Sequence, residues 1–255
     1  MPIPLVQGIV YGPVRSRRLG RSLGINVLPR DVKACNMDCA YCQYGWTAGP
    51  SRRRVPVRWP PPDRIEAAVS ARLRKAEASG ELIDRLTVAG HGEPTLHPQF
   101  EEIAERLCRL RDRMAPDIRL AILSNSTTAA SAAVRRSLAL FDERYMKLDA
   151  GDPMTYARIN GRGSFGAVVD ALRDLGQVIV QAMFVKDARG DIDNTTDHAV
   201  DAWIDTLDAI QPARVQVYTI ARPPAKSSLT RVPARRLREI AERVRALGIP
   251  ADVHA

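Results

Sequence analysis

Three thiols lie within eight residues of this chain: Cys35, Cys39 and Cys42, in the stretch CNMDCAYC, with Tyr41 directly before the last of them. They follow a strand-like run from Ser22 to Leu28 and sit in a loop with Gly and Pro, so they can converge on one metal centre. Their three-plus-two spacing differs from the paired CxxC clips of structural zinc sites. It also supplies only three ligands. An iron-sulfur cube takes four cysteine thiolates, so three leave one iron open, and an open position on a reactive metal is where a substrate or cofactor coordinates. A zinc knob completed by a histidine and a fortuitous group of reduced cysteines are the other readings of the same residues.

CxxxCxxC with an aromatic residue before the third cysteine resembles the cluster motif of the radical S-adenosylmethionine (SAM) superfamily. The resemblance implies a [4Fe-4S] cluster on Cys35, Cys39 and Cys42, with the fourth iron chelated by the amino and carboxylate groups of SAM. It further implies that an electron from the cluster cleaves the sulfonium to a 5′-deoxyadenosyl radical.

The elements that must position such a loop are legible as an uninterrupted alternation of strand and helix. Gly8 to Pro13 reads as a lead-in, and Val14 to Leu28 as an arginine-studded turn followed by the first core strand. Gly49 to Pro62 is too rich in proline to be helical, and a helix follows from Asp63, a candidate N-cap, to Ser79. Further strands are expected at Leu82–Ala89, Ile118–Leu123, Arg144–Leu148, Val178–Val185 and Val215–Ile220. Helices are expected at Phe100–Met114, over the alanine-rich stretch to about Leu140, and at Gly166–Leu175, Thr195–Ile210 and Pro233–Leu247. The pattern predicts one domain over residues 1–255, a partial, open (β/α)6 TIM-like barrel, which is also the fold that the resemblance implies. Residues 14–34 form the lead-in and first strand, and 35–42 the cluster loop.

In such barrels the loops leaving the C-terminal strand ends form the site. Gly90, His91, Gly92, Glu93 and Pro94 follow the second strand and resemble the family's GGE-type motif, whose exposed carbonyls receive the SAM amino group; glycine permits such close backbone approach. An ordinary Gly/Pro turn is the plainer reading, with Glu93 orienting backbone and His91 a polar loop residue or a fourth ligand. Ser124 and Asn125 resemble the TNG-type element that reaches the methionine or ribose end of SAM, or cap the following helix. Lys147 and Asp149 occupy alternate positions and so share a face; pointing into a barrel they would be costly unless paired or liganded. LDAGDPMTYARINGRGSF, from Leu148, is similar to the family's LDG…RG…SF run, which implies that Lys147, Arg158 or Arg162 neutralises a SAM or substrate carboxylate. Gln181, Tyr218 and Asn194 are weaker candidates, and Cys108 reads as core packing. Arg52 to Arg54, with Trp46 and Trp59 nearby, reads as a phosphate- and base-binding run or a solvated loop.

Composition narrows the partners only slightly. With 255 residues the chain can bury a full core. Four cysteines, three in one motif, argue against a secreted disulfide framework and for a reduced, cytoplasmic setting. Nothing approaches the roughly 18 apolar residues of a membrane span. The net charge of +9 is carried mostly by arginine, and suits RNA, a phosphorylated substrate, or an acidic electron donor such as flavodoxin or ferredoxin. A GC-rich coding bias would give the same composition.

GPVRSRRLGRSLGINVLP, GEPTLHP and VQVYTIARPPA resemble the small radical SAM proteins related to wyosine-base synthases. The synthases that act on tRNA hold a second cluster on further cysteines, and only Cys108 is spare here, so the likeness implies the scaffold and not that product. The expectation is a radical SAM enzyme with one cluster that abstracts hydrogen from a small metabolite, peptide or RNA base. The alternative is a nucleic-acid-binding protein with a structural zinc or passive Fe-S centre.

Overall fold

The structure, a computed structural model, describes residues 2–47 and 57–255. Eight strands form one sheet in the order β1 (Val10–Ser16), β2 (Gly20–Ile25), β3 (Arg85–Val88), β4 (Arg119–Ser124), β5 (Glu143–Lys147), β6 (Ile179–Phe184), β8 (Arg214–Thr219) and β10 (Ala251–His254). All neighbours are parallel except β1 with β2. A small antiparallel pair, β7 (Lys186–Asp187) with β9 (Leu229–Thr230), stands apart from it. The helices are α1 (Pro62–Ser79), α2 (Phe100–Met114), α3 (Ala132–Leu138), α4 (Pro153–Asn160), α5 (Phe165–Leu175), α6 (Asp197–Ile210) and α7 (Ala234–Ala246). The sheet curls into a partial barrel, as the sequence predicts.

Strand alternation assigns the two faces. Leu86, Ile122, Met146, Val180 and Val217 point outward and join one apolar cluster with Ile103 and Leu107 of α2, Leu172 of α5, Leu207 of α6 and Ile240 of α7. Each such fully buried Leu or Ile stabilises the fold by about 1.5–3 kcal/mol. The inner face is polar. Register sets Lys147 beside Gln181, Gln181 beside Gln216, and Tyr218 between Met183 and His254. At the strand starts, Glu143 receives Arg85 and, at 2.9 Å, Arg119.

The β1–β2 turn reaches the far edge of the sheet. Arg17 donates to the Ala255 carbonyl, the Gln216 amide to the Arg18 carbonyl at 3.5 Å, and the Arg18 guanidinium lies 4.2 Å from the Tyr218 ring centroid. The arginine-studded turn therefore links the two edges.

Several boundaries differ from the sequence reading. The lead-in is part of β1, because Val10 and Tyr11 pair with Ile25 and Gly24. The strand β10 was not predicted; its four residues are too short to carry a periodicity. The alanine-rich helix is confined to Ala132–Leu138, since Ser126 takes φ 72° and a turn precedes it. Pro61, not Asp63, precedes the first turn of α1, and Thr196 caps α6, which starts at Asp197 and not at Thr195. The largest omission is α4, whose Asp152 accepts from Met154 and Thr155 N–H at 2.9 and 2.8 Å.

Candidate functional site

The cysteine loop has little regular structure, so its backbone groups must be satisfied by neighbours. Glu93 N–H donates to the Ala34 carbonyl at 2.8 Å, Asp38 N–H to Asn160 at 3.0 Å, Ala40 N–H to Ile159 at 2.8 Å, and Lys226 N–H to Ala40 at 2.8 Å. The loop is thus clamped by the β3 exit, by the end of α4 and by the segment after β8. All four cysteines are free thiols.

Gly90 and Gly92 permit close approach, but to the chain itself. A Cβ on Gly92 would fall 1.9 Å from the Ala34 carbonyl oxygen, and one on Gly90 2.1 Å from Asn26 Oδ1. Pro94 opens a short 3-10 turn behind them, Pro94–Leu96. Glu93 is buried and accepts at Oε1 from Thr95 N–H at 3.1 Å, Thr95 hydroxyl at 2.6 Å and Ser124 hydroxyl at 3.0 Å, and at Oε2 from Asn125 N–H at 2.5 Å. Burial pushes its carboxyl above the ordinary value, opposed by these donors. Its place is that of an organiser joining two strand-end loops.

Asn125 passes the connection on to the cysteines. Its amide donates to Asn36 Oδ1 at 2.8 Å and lies 3.8 Å from Cys35 Sγ. On the other side the Asn160 amide lies 3.4 Å from Cys39 Sγ and donates to Asp149 Oδ2 at 2.9 Å. Asp149, 1% exposed, also receives Tyr41 hydroxyl at 2.5 Å, Lys147 at 2.7 Å and Met183 N–H at 2.8 Å. Lys147 donates in turn to the Tyr218 hydroxyl at 2.8 Å. Burial pushes the Lys147 ammonium down, but Asp149 and then Tyr218 outweigh it, and its value rises.

Other candidates sort by place. Gln181 donates to Gln216 at 2.8 Å inside the lumen. Asn194 staples Asp149 and Met183 carbonyls, both at 2.8 Å. His91 is buried with both nitrogens engaged, by Val6 N–H at 3.2 Å and the Pro29 carbonyl at 2.6 Å, so it is no fourth ligand. Arg158 is exposed and lies outside the Asp149 network, because the inward face of α4 carries Tyr156, Ile159 and Asn160; it lines an open cleft of about 510 Å³ with Trp46 and Lys226. Arg162 is exposed, and Cys108 packs partly against the outer core. Arg52 to Arg54 lie outside the described residues. Sequence reasoning missed Asn160 and Asn36; an Asp152-Pro153 start and Asn160-Gly161 end were the signal for α4.

The donor set fits a thiolate-held cluster. Burial raises Cys35, and burial followed by the Asp149 charge pushes Cys39 up to about 12, so a cluster held by these thiols would have to displace their protons. Among the described residues no three His, Cys, Asp or Glu converge as ligands of one metal ion. A cube needs no such convergence, since it spreads its thiolates over separate irons.

The chain belongs to the Radical SAM superfamily, whose family model matches residues 31–220. That family's cofactors are a [4Fe-4S] cluster and SAM. The chain is 34% identical over 86% of its length to "UPF0026 protein MJ1312" of Methanocaldococcus jannaschii, spanning 65% of that protein. It is 30% identical over 84% of its length to a UPF0026 protein of Helicobacter pylori, spanning 67% of that protein. Among solved structures it resembles a radical SAM methyltransferase from Sphaerobacter thermophilus, with TM-score 0.67, 18% identity, and 91% and 65% of the two chains covered. It also resembles Streptococcus suis SuiB bound to S-adenosylmethionine, with TM-score 0.65, 13% identity, and 91% and 50% covered. No helix among the described residues is long and apolar enough to cross a membrane.

Proposed function

We propose that residues 1–255 form one radical SAM core domain in which Cys35, Cys39 and Cys42 hold a single cluster and the polar lumen takes SAM and substrate. The observation that carries this reading is the direct hydrogen bonding of three strand-end loops to the cysteine loop, through Glu93 to Ala34, Asn125 to Asn36, and Asp149 to Tyr41. Bound there, the cluster and SAM would supply reductive cleavage of the sulfonium, one electron from the donor releasing methionine, and with it hydrogen abstraction from a small metabolite, peptide or RNA base.

The chain's own residues bind and orient. The loop of Gly90, Gly92, Glu93 and Pro94 would offer its carbonyls to the SAM amino group, and Glu93 fixes Ser124 and Asn125, which would hold the methionine or ribose end. Lys147, held by Asp149, would supply a cation for the SAM carboxylate. Arg158, which lines the open cleft, would neutralise a SAM or substrate carboxylate from there. An acidic flavodoxin or ferredoxin is the electron donor that the basic chain favours.

The test is anaerobic reconstitution followed by dithionite reduction with SAM. The expected product is 5′-deoxyadenosine; a fully loaded cluster that leaves SAM intact contradicts the reading. Zinc without acid-labile sulfide would favour the metal-stabilised nucleic-acid-binding alternative.

A further inference from the structure

Among the described residues, one arginine at the lumen has a buried nitrogen with no hydrogen-bond partner. Arg18 extends from the β1–β2 turn until its guanidinium lies 4.2 Å from the Tyr218 ring centroid. Its Nη1 is buried without a hydrogen-bond partner, and so is Nε2 of His254, the register partner of Tyr218 on β10. Nearby carboxylates are committed elsewhere: Asp149 to Lys147 at 2.7 Å and Asp252 to Arg214 at 3.2 Å. Among the described residues no carboxylate pairs with Arg18. The Tyr218 hydroxyl accepts from Lys147, which leaves its own proton to donate.

Buried polar groups are ordinarily paired, so a buried nitrogen left without a partner is costly. Two orphaned nitrogens flanking one tyrosine, at the C-terminal ends of β8 and β10, therefore point to a missing oxyanion. We propose that Arg18 and His254, with the Tyr218 hydroxyl, bind a carboxylate or phosphate group of the substrate. This rests on the reading of the lumen as the substrate cavity of a radical SAM enzyme. The guanidinium fork supplies parallel donors suited to either group, and the imidazole supplies one from the next strand. Burial and then Arg18 hold His254 below its ordinary value. A fixed anion at this point would set the register of the substrate against Lys147 and the cysteine loop.

The test uses cluster-loaded protein labelled with ¹⁵N-histidine and titrated anaerobically with inorganic phosphate in one arm and acetate in the other. One histidine resonance, the one lost in His254→Asn, should shift saturably. Saturation by phosphate alone assigns a phosphate group, and by acetate alone a carboxylate. Arg18→Gln should weaken binding roughly tenfold or more, whereas Arg15→Gln, which removes the same charge from exposed β1, should not. Should Arg18→Gln fail to fold, Arg18→Lys keeps the charge, removes the fork and should weaken binding in the same direction. No saturable shift with either anion, an equal affinity after Arg18 substitution, or displacement of the anion by stoichiometric SAM would overturn the proposal. Formation of 5′-deoxyadenosine in the same preparation is scored separately, so loss of the anion site and loss of SAM chemistry are distinguishable.

Discussion

The Tyr41 hydroxyl donates to Asp149 Oδ2 at 2.5 Å, joining the residue before the third cysteine to the exit of β5. The same carboxylate holds Lys147 and Asn160, so one buried charge couples the cysteine loop, the lumen and the end of α4. Replacing Asp149 by Ala leaves the Lys147 ammonium unpaired, and a loss of about 3–5 kcal/mol in denaturant stability is expected. Tyr41→Phe removes one hydrogen bond to a charged group and should cost about 1.5–3 kcal/mol. Equal stability of the Asp149→Ala variant and the parent would refute this coupling.

Glu93 acts through the residues it holds. Glu93→Gln loses at least one acceptor and should free Asn125 from its place beside Cys35. Iron and sulfide content should stay near that of the parent, while SAM affinity measured by calorimetry falls roughly tenfold. A proportionate loss of both would make Glu93 a cluster-assembly residue instead.

Gly92 leaves no room for a side chain. With its Cβ 1.9 Å from the Ala34 carbonyl oxygen, Gly92→Ala must displace the cysteine loop or break the Glu93–Ala34 hydrogen bond. The expected outcome is a folded protein by circular dichroism with little bound iron after reconstitution. Normal iron loading would show that the loop yields without cost.

Glu143 supplies a pH-dependent contribution to stability. Burial pushes its carboxyl up, but hydrogen bonds from Arg85 and then Arg119 outweigh this, and the folded value lies below the ordinary one. Its contribution is therefore complete above the unfolded value of about 4.3 and is lost as pH falls through the lower folded value. Glu143→Gln should reduce stability at neutral pH by roughly 2 kcal/mol, since the pair is only partly buried. The difference from the parent should shrink as pH falls through the acid range; a constant difference would assign the effect to packing.

The fold was legible because strands such as Val215–Ile220 and helices such as Phe100–Met114 carry strong periodicities of their own. Lys147 and Asp149 were placed on one face by strand alternation alone, and the structure pairs them at 2.7 Å. What escaped was of two kinds. The strand β10 is stabilised by pairing with β8, a partner distant in sequence, and short α4 by its Asp152 cap and its contacts with the cysteine loop. Partnerships such as Asn160 with Cys39, or Arg18 with Tyr218, depend on which side chains the barrel brings into one layer. Arg158 shows the converse: its position in a motif-like run fixed its neighbourhood, but helical phase turned it outward.

The central claim, one cluster on Cys35, Cys39 and Cys42 with an iron open to SAM, is tested most directly by electron paramagnetic resonance of the reconstituted, dithionite-reduced protein before and after SAM is added. A single reduced-cluster signal that changes on addition of SAM, and that is absent when the three cysteines are replaced by alanine, is the predicted result. A signal unchanged by saturating SAM, or one retained in the triple variant, would contradict it.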